Sequence, residues 1–265
     1  MNAPAIAVLV PGRQARAALR RAVPRGRARL VACRTPAQLE RAVRTTLTDA
    51  VVIDPRVGGS RDLLARCRRA WPHVPCFVYA AFRPDDGELL TTCLETGAAT
   101  PMVEGVEDTV LGELMLPRTA SAGRLAMLAG APRLLRLTEE IQQRAWQEVL
   151  RRSGARVRTA DVARSLKVSR EHLSRQFGAG GAPNIKRVID LARTVTAADL
   201  LANPGYSVRA VARILGFASA SHLAASSRRV TGVSASKLAD LGPRGVLTAF
   251  LRGRTRSRLA SSGTS

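Results

Sequence analysis

Five short apolar runs alternate with longer amphipathic stretches over the first half of the chain. AIAVLV (Ala5–Val10), RLVAC (Arg29–Cys33), AVVID (Ala50–Asp54), PCFVYA (Pro75–Ala80) and ATPMV (Ala99–Val103) have the length and near-continuous hydrophobicity of strands buried on both faces. Between them, QARAALRRA, PAQLERAVRTTL, RDLLARCRRAW and DGELLTTCLE have helical length and period. Thr35-Pro36-Ala37-Gln38 opens one of these with a threonine cap, a proline at the first helical position and a glutamine three after the cap. The alternation predicts a doubly wound α/β domain over residues 1–117, a parallel five-stranded sheet with helices on both faces.

The second half reads as helical throughout. From Pro117 to Pro132 the composition shifts to Ala, Gly and Ser, and residues 118–137 are expected to form a linker, with LAML apolar enough for part of it to be helical. LTEEIQQRAWQEVLRRSG predicts a helix capped by Thr138, with acids in its first turn and Arg151 and Arg152 near its end, the charge order that suits the helix dipole. Beyond it, Ser-x-x-His-Leu occurs twice, at Ser169–Leu173 and Ser219–Leu223. Around the first copy, Val162, Ala163, Leu166, Val168, Leu173 and Phe177 are spaced to join two short helices across a tight turn. Around the second, Val211, Ala212, Leu215, Phe217 and Leu223 repeat the spacing with one extra residue in the turn. Each copy predicts a helix-turn-helix whose second helix is polar on its open face. Between them Asn184–Asn203 reads as one long helix, closed by Pro204-Gly205. Residues 138–241 are thus expected to be an all-α domain with two helix-turn-helix motifs joined by a long helix. GAGGAP (Gly178–Pro183) looks like a hinge. Residues 242–265, with five arginines and no acid, are expected to be a basic flexible tail, with a short amphipathic helix at Val246–Arg252 as the alternative for its first part.

Charge sharpens this division. The 265 residues carry a net +22; the first 118 hold 17 basic against 12 acidic residues, the remainder 25 against 8. A genome that writes Arg for Lys explains why only three lysines occur, but not why the excess gathers in the helical half. That half is suited to a polyanion, duplex DNA above all. Seven arginines from Arg13 to Arg29 have no acid among them, and read either as a solvated face or as a supplementary surface for DNA or an acidic partner. No apolar run is long enough for a bilayer and no signal peptide is visible, so the expected compartment is the cytoplasm. Four cysteines without CxxC spacing fit buried thiols in a reducing compartment; Cys67, His73 and Cys76 match no usual zinc pattern, and neither metal nor cofactor is expected.

Two resemblances follow. The five βα units are similar to the receiver domain of response regulators, with Asp54 ending the third strand where a receiver carries its phospho-acceptor. The remaining receiver landmarks are absent: VLVPGRQ lacks the acidic Mg²⁺ ligands after the first strand, Ala80-Ala81 replaces the Ser or Thr, and TPMVEG lacks the lysine. The expectation is a degenerate receiver, with a structural Asp54 weighed against phosphorylation. Residues 138–241, through VARSLKVSREHLSRQF, the linking helix and VARILGF…SHL…RRVTGVSASKL, resemble the DNA-binding domain of AraC/XylS-family transcription regulators. Gly232 there would permit a left-handed cap and Ser234 would open a final short helix.

That resemblance implies a non-enzymatic regulator that binds double-stranded DNA as a homodimer and contacts RNA polymerase. Carried over by position, it implies that Arg170, Glu171, Ser174 and Arg175 face the groove, with Arg170 and Arg175 suited to guanine. Glu171 could instead serve the helix terminus. Lys167, Arg228 and Arg229 are expected at phosphates, and Ser169, Ser219, Ser221 and His222 as short polar contacts. Ala225 stands where an arginine commonly reaches DNA, and Ser227 replaces a large apolar residue, so the second motif is expected to read bases poorly and to pack loosely. Two rivals remain: an enzyme with a nucleotide at the sheet's carboxyl edge, which no phosphate loop, triad or metal cluster supports, and an adaptor with weakened DNA binding.

Overall fold

The computed structural model describes residues 3–24, 26–95, 99–178 and 181–261. It divides into two compact units. One is built on Ala3–Gly123 and takes in Asn203–Tyr206; the other comprises Arg124–Ala202 and the chain from Ser207 onward.

In the first unit, β1 (Ala5–Leu9), β2 (Arg29–Ala32), β3 (Ala50–Ile53), β4 (Cys76–Ala80) and β5 (Thr100–Val103) form a parallel sheet in the order β2-β1-β3-β4-β5. The helices are α1 (Arg13–Ala22), α2 (Pro36–Thr45), α3 (Ser60–Ala70), α4 (Gly87–Glu95) and α5 (Leu111–Met115). Burial follows the order: β1, β3 and β4 are buried at every position, whereas the edge strands β2 and β5 are partly exposed. This is why the central strands read as unbroken apolar runs. On one face Ile6, Val8, Ala50, Val52, Phe77 and Tyr79 meet Ala15, Ala18 and Leu19 of α1 and Leu111 and Met115 of α5. Each fully buried aliphatic side chain there contributes about 1.5–3 kcal/mol. The expected cap at α2 is present: the Thr35 hydroxyl accepts the Gln38 N–H at 3.2 Å, with Pro36 in the first turn.

The strand order places a topological switch point between β1 and β3, at the carboxyl edge. Asp54 follows β3 at this edge and is buried. Its two carboxylate oxygens are held by a fork from Arg56: Nε donates to Oδ1 and Nη2 to Oδ2, each at 3.0 Å, and the Arg56 N–H also donates to Oδ1. Arg56 Nη1 reaches the Ala81 carbonyl beyond β4 at 3.1 Å. The bonds to Asp54 push the Arg56 guanidinium above its ordinary range and so keep it charged.

The chain continues through α6 (Ala120–Met127), in which the division between units falls, α7 (Ala131–Leu134), α8 (Glu140–Arg152), α9 (Thr159–Ser165), α10 (Arg170–Gly178), α11 (Ile185–Leu201), α12 (Val208–Ile214), α13 (Ala220–Thr231) and α14 (Leu238–Ser261). The stretch expected as a linker is therefore largely helical. The cap of α8 falls one residue later than expected, at Glu139, whose N–H donates to Gln142 Oε1. In the stretch expected as a basic flexible tail, the structure has the alternative for its first part, a helix that includes Val246–Arg252. Gly242 (φ 59°, ψ 178°) and Pro243 break α14 near its start, but the helix resumes, and Val246, Leu247 and Phe250 are buried. Those three lie on one helical face and α14 packs on α11, so burial anchors a segment that composition alone marked as a tail.

At the centre of the second unit, α11 opens on Asn184, whose side chain accepts the Arg187 N–H at 2.9 Å. It is buried almost all round, Arg193, Thr194 and Thr196 included. Both threonine hydroxyls satisfy themselves on carbonyls one turn back, Asp190 and Ala192. Of the expected hinge, Ala179 and Gly180 lie outside the described residues.

Candidate nucleic-acid interface

Each half of the repeated Ser-x-x-His-Leu has a specific structural task. In the first motif the Ser169 hydroxyl accepts the His172 N–H at 3.0 Å and caps α10, while Leu173, one residue on, is fully buried. In the second the Ser219 hydroxyl accepts the His222 N–H at 3.0 Å and caps α13, and Leu223 is fully buried. A serine cap satisfies an orphan N–H of the first turn, and the leucine turns the same helix onto its partner. The recurrence at fifty positions is thus one capped, amphipathic helix start built twice.

The turns match as well. Val168 N–H bonds the Ala163 carbonyl at 3.1 Å and Phe217 N–H bonds the Ala212 carbonyl at 2.8 Å. Both turns need a left-handed residue just before. The second supplies Gly216 (φ 65°); the first holds Lys167 at φ 58°. For a residue with a Cβ this conformation costs about 1–2 kcal/mol. Val162, Ala163, Leu173 and Phe177 in one motif, and Val211, Ala212, Leu215 and Leu223 in the other, are buried between the helices.

Lys167, Ser169, Arg170, Glu171, Ser174 and Arg175 are all exposed, and so are Ser219, Ser221, His222, Arg228 and Arg229. Arg170 and Arg175 form no ion pair among the described residues. Glu171 lies in the first turn of α10, where its charge suits the helix dipole. Three of the expected contacts have other employment. The serine hydroxyls of Ser169 and Ser219 are committed as acceptors to the caps. Arg229 Nη2 is 2.9 Å from Asp190 Oδ2 on α11 and ties α13 to the central helix, whereas Arg228 has no such partner among the described residues.

The second motif is less loose than its composition suggests. Ser227 is fully buried, but its hydroxyl donates to the Val233 carbonyl at 2.8 Å, so a polar residue fills the apolar position with its bond satisfied. Ser226 beside it is buried with no partner for its Oγ among the described residues. Gly232 adopts φ 80° as the C-cap of α13, as expected, and Ser234 precedes a 3-10 turn at Ala235–Lys237.

Several residues that position these helices escape sequence reasoning. Arg193 on α11 is buried, its guanidinium 3.8 Å from the Phe217 ring centroid, and its Nη2 donates to the Leu215 carbonyl at 2.8 Å. Burial pushes the Arg193 guanidinium below its ordinary range, against a counteracting charge on Asp190. The His222 ring stands edge-on to Phe217 at 5.6 Å, so α11, the second turn and the start of α13 meet through one aromatic ring. At the first motif, Gln142 of α8 donates to the Gln176 carbonyl near the end of α10 at 2.7 Å. Glu148 of α8 pairs with Arg151 and Arg152, and Arg152 also donates to Ser165 of α9. Burial works to raise the Glu148 carboxyl, but bonds from Arg152 and Ser165 and the neighbouring guanidinium charges hold it below the usual carboxylate range. The sequence carried no distinct signal for Arg193, which is one of five charged residues in α11 beside Lys186, Arg187, Asp190 and Asp199.

Residues 162–240, from α9 into the first turn of α14, match a family described as a helix-turn-helix domain. No curated protein and no solved structure matches the chain. No helix among the described residues is long and apolar enough to cross a membrane. Among the same residues no group of three or more His, Cys, Asp or Glu is placed to hold a metal. Burial pushes the Cys67 thiol up to about 11 and Cys76 well above its ordinary value, which keeps both protonated at neutral pH.

Proposed function

We propose that the protein is a cytoplasmic, non-enzymatic transcription regulator that binds duplex DNA sequence-specifically, with α10 and α13 entering successive major-groove segments. The observation that carries this reading is the duplicated geometry: two serine-capped helices, each after a left-handed turn residue, each with its polar face exposed, and each supported by α11. The seventeen residues of α11 span about 25 Å at 1.5 Å each, a spacer of the order of the 34 Å between groove faces on one side of B-DNA. The resemblance to AraC/XylS regulators adds homodimerisation and contact with RNA polymerase.

Sequence preference falls mainly to α10. Arg170 and Arg175 have the reach for guanine, each worth about 1–3 kcal/mol of discrimination. Ser221, His222 and Ala225 of α13 are short, so this helix holds phosphates together with Arg228. Footprinting on selected duplexes tests the division: Arg175→Ala should relax sequence preference and Ser221→Ala should leave it intact. The reverse pattern refutes it, and a chain that protects no discrete site refutes the regulator reading in favour of an adaptor.

For the N-terminal unit the reading is a degenerate receiver that serves sensing or dimerisation without taking phosphate. The Arg56 fork supports this, because both oxygens of Asp54 are already engaged by a guanidinium. The alternative, a phospho-acceptor response regulator, predicts alkali- and hydroxylamine-labile phosphate on Asp54 after incubation with acetyl phosphate and Mg²⁺, lost in Asp54→Asn.

A further inference from the structure

We propose that α1 and the start of β2 form a second, sequence-independent contact surface for the phosphates of duplex DNA. The proposal rests on the DNA-binding reading above and extends it to the unit that carries no helix-turn-helix.

The first thirty-nine residues contain eight arginines and no acid. In α1, Arg13, Arg16 and Arg20 succeed one another at i, i+3 and i+7, a stripe in which like charges face each other and weaken the helix. Arg13 also occupies the first turn, where the dipole disfavours a cation, and no acid stands there to offset it. Other helices of the same chain are built differently. Arg44 pairs with Glu40, Arg144 with Glu140 and Arg164 with Asp161, each one turn away. Among the described residues Arg13, Arg20, Arg27 and Arg29 form no ion pair.

The row does not stop at the end of the helix. A turn in which the Arg27 and Ala28 N–H groups bond the Pro24 carbonyl leads directly into β2, an edge strand, with Arg27 and Arg29 exposed. Arg13 and Arg20 are exposed too. Among the described residues no large exposed hydrophobic side chain occurs before Val106, so α1 and the start of β2 themselves supply no apolar anchor of the kind that a protein partner or a bilayer would bury. Exposed Val106 and Val110 do precede α5, which packs on α1. Uncompensated guanidinium groups suit phosphate oxygens. From Arg13 to Arg20 the helix advances about 10 Å, over which a duplex presents about six charges.

The test is the salt dependence of DNA binding by the full chain, compared with the variant Arg13→Gln/Arg20→Gln/Arg27→Gln/Arg29→Gln. Loss of four phosphate contacts should reduce the slope of log affinity against log salt by about 3.6, which is about a 150-fold smaller loss of affinity between 50 and 200 mM salt. The position of the footprint should not move. The matching Arg→Lys variant should retain the slope, which separates lost charge from lost fold. A change in slope below about 1 overturns the proposal, and so does an unchanged slope accompanied by weaker binding to an acidic protein or to anionic vesicles. The comparison holds on any duplex. An unsubstituted chain with no discrete footprint therefore sinks the regulator reading alone, whereas an unchanged slope sinks this one alone.

Discussion

Replacing Arg193 by methionine removes a guanidinium from the interior of the C-terminal unit while keeping most of its volume. The loss comprises a hydrogen bond from a charged donor to the Leu215 carbonyl, about 1.5–3 kcal/mol, and a desolvated stack on Phe217, about 2 kcal/mol. Against this, the buried guanidinium carries a desolvation cost that the variant escapes, and its Nε has no partner among the described residues. The balance is a destabilisation of about 1–3 kcal/mol. Each unit holds one tryptophan, so urea unfolding in a Trp71→Phe background lets buried Trp146 report the C-terminal unit alone. A double-mutant cycle with Phe217→Leu should return a coupling of about 1–2 kcal/mol. Because Phe217 also meets His222, the footprint under α13 should weaken before the one under α10. An unchanged midpoint, or a coupling indistinguishable from zero, refutes the argument that this arginine joins α11 to the second motif.

Lys167→Gly relieves the left-handed strain in the first turn and should raise stability by about 0.5–1 kcal/mol, while lowering the salt slope of DNA binding by about 0.9; a destabilised variant contradicts the reading. Ser219→Ala should cost about 1 kcal/mol and speed amide exchange at the start of α13, because the His222 N–H loses its acceptor. The Glu148 carboxyl is held below its ordinary value of 4.5, so its contribution is complete above that pH and lost as pH falls through the lower folded value. Acid titration should therefore loosen α8 from α9 below about pH 4.5, and Glu148→Gln should flatten that part of the profile.

Much of the architecture was legible because it rests on local rules. A strand buried on both faces must be apolar at every position, so β1, β3 and β4 declare themselves, and the β–α alternation leaves a parallel sheet as the solution. The duplicated serine cap and buried leucine are equally local, since a cap acts on residues two or three positions away. What the chain alone left undecided involves partners distant in sequence. Strand order set Asp54 at the switch point, and only the fold brought Arg56 across to the Ala81 carbonyl. The polar residues Ser227 and Arg193 contradict an apolar pattern until Val233, Leu215 and Phe217 arrive to satisfy them. The final helix stayed one of two alternatives for the same reason: its arginines are visible in the sequence, but the α11 surface that buries Val246, Leu247 and Phe250 exists only once the chain has folded.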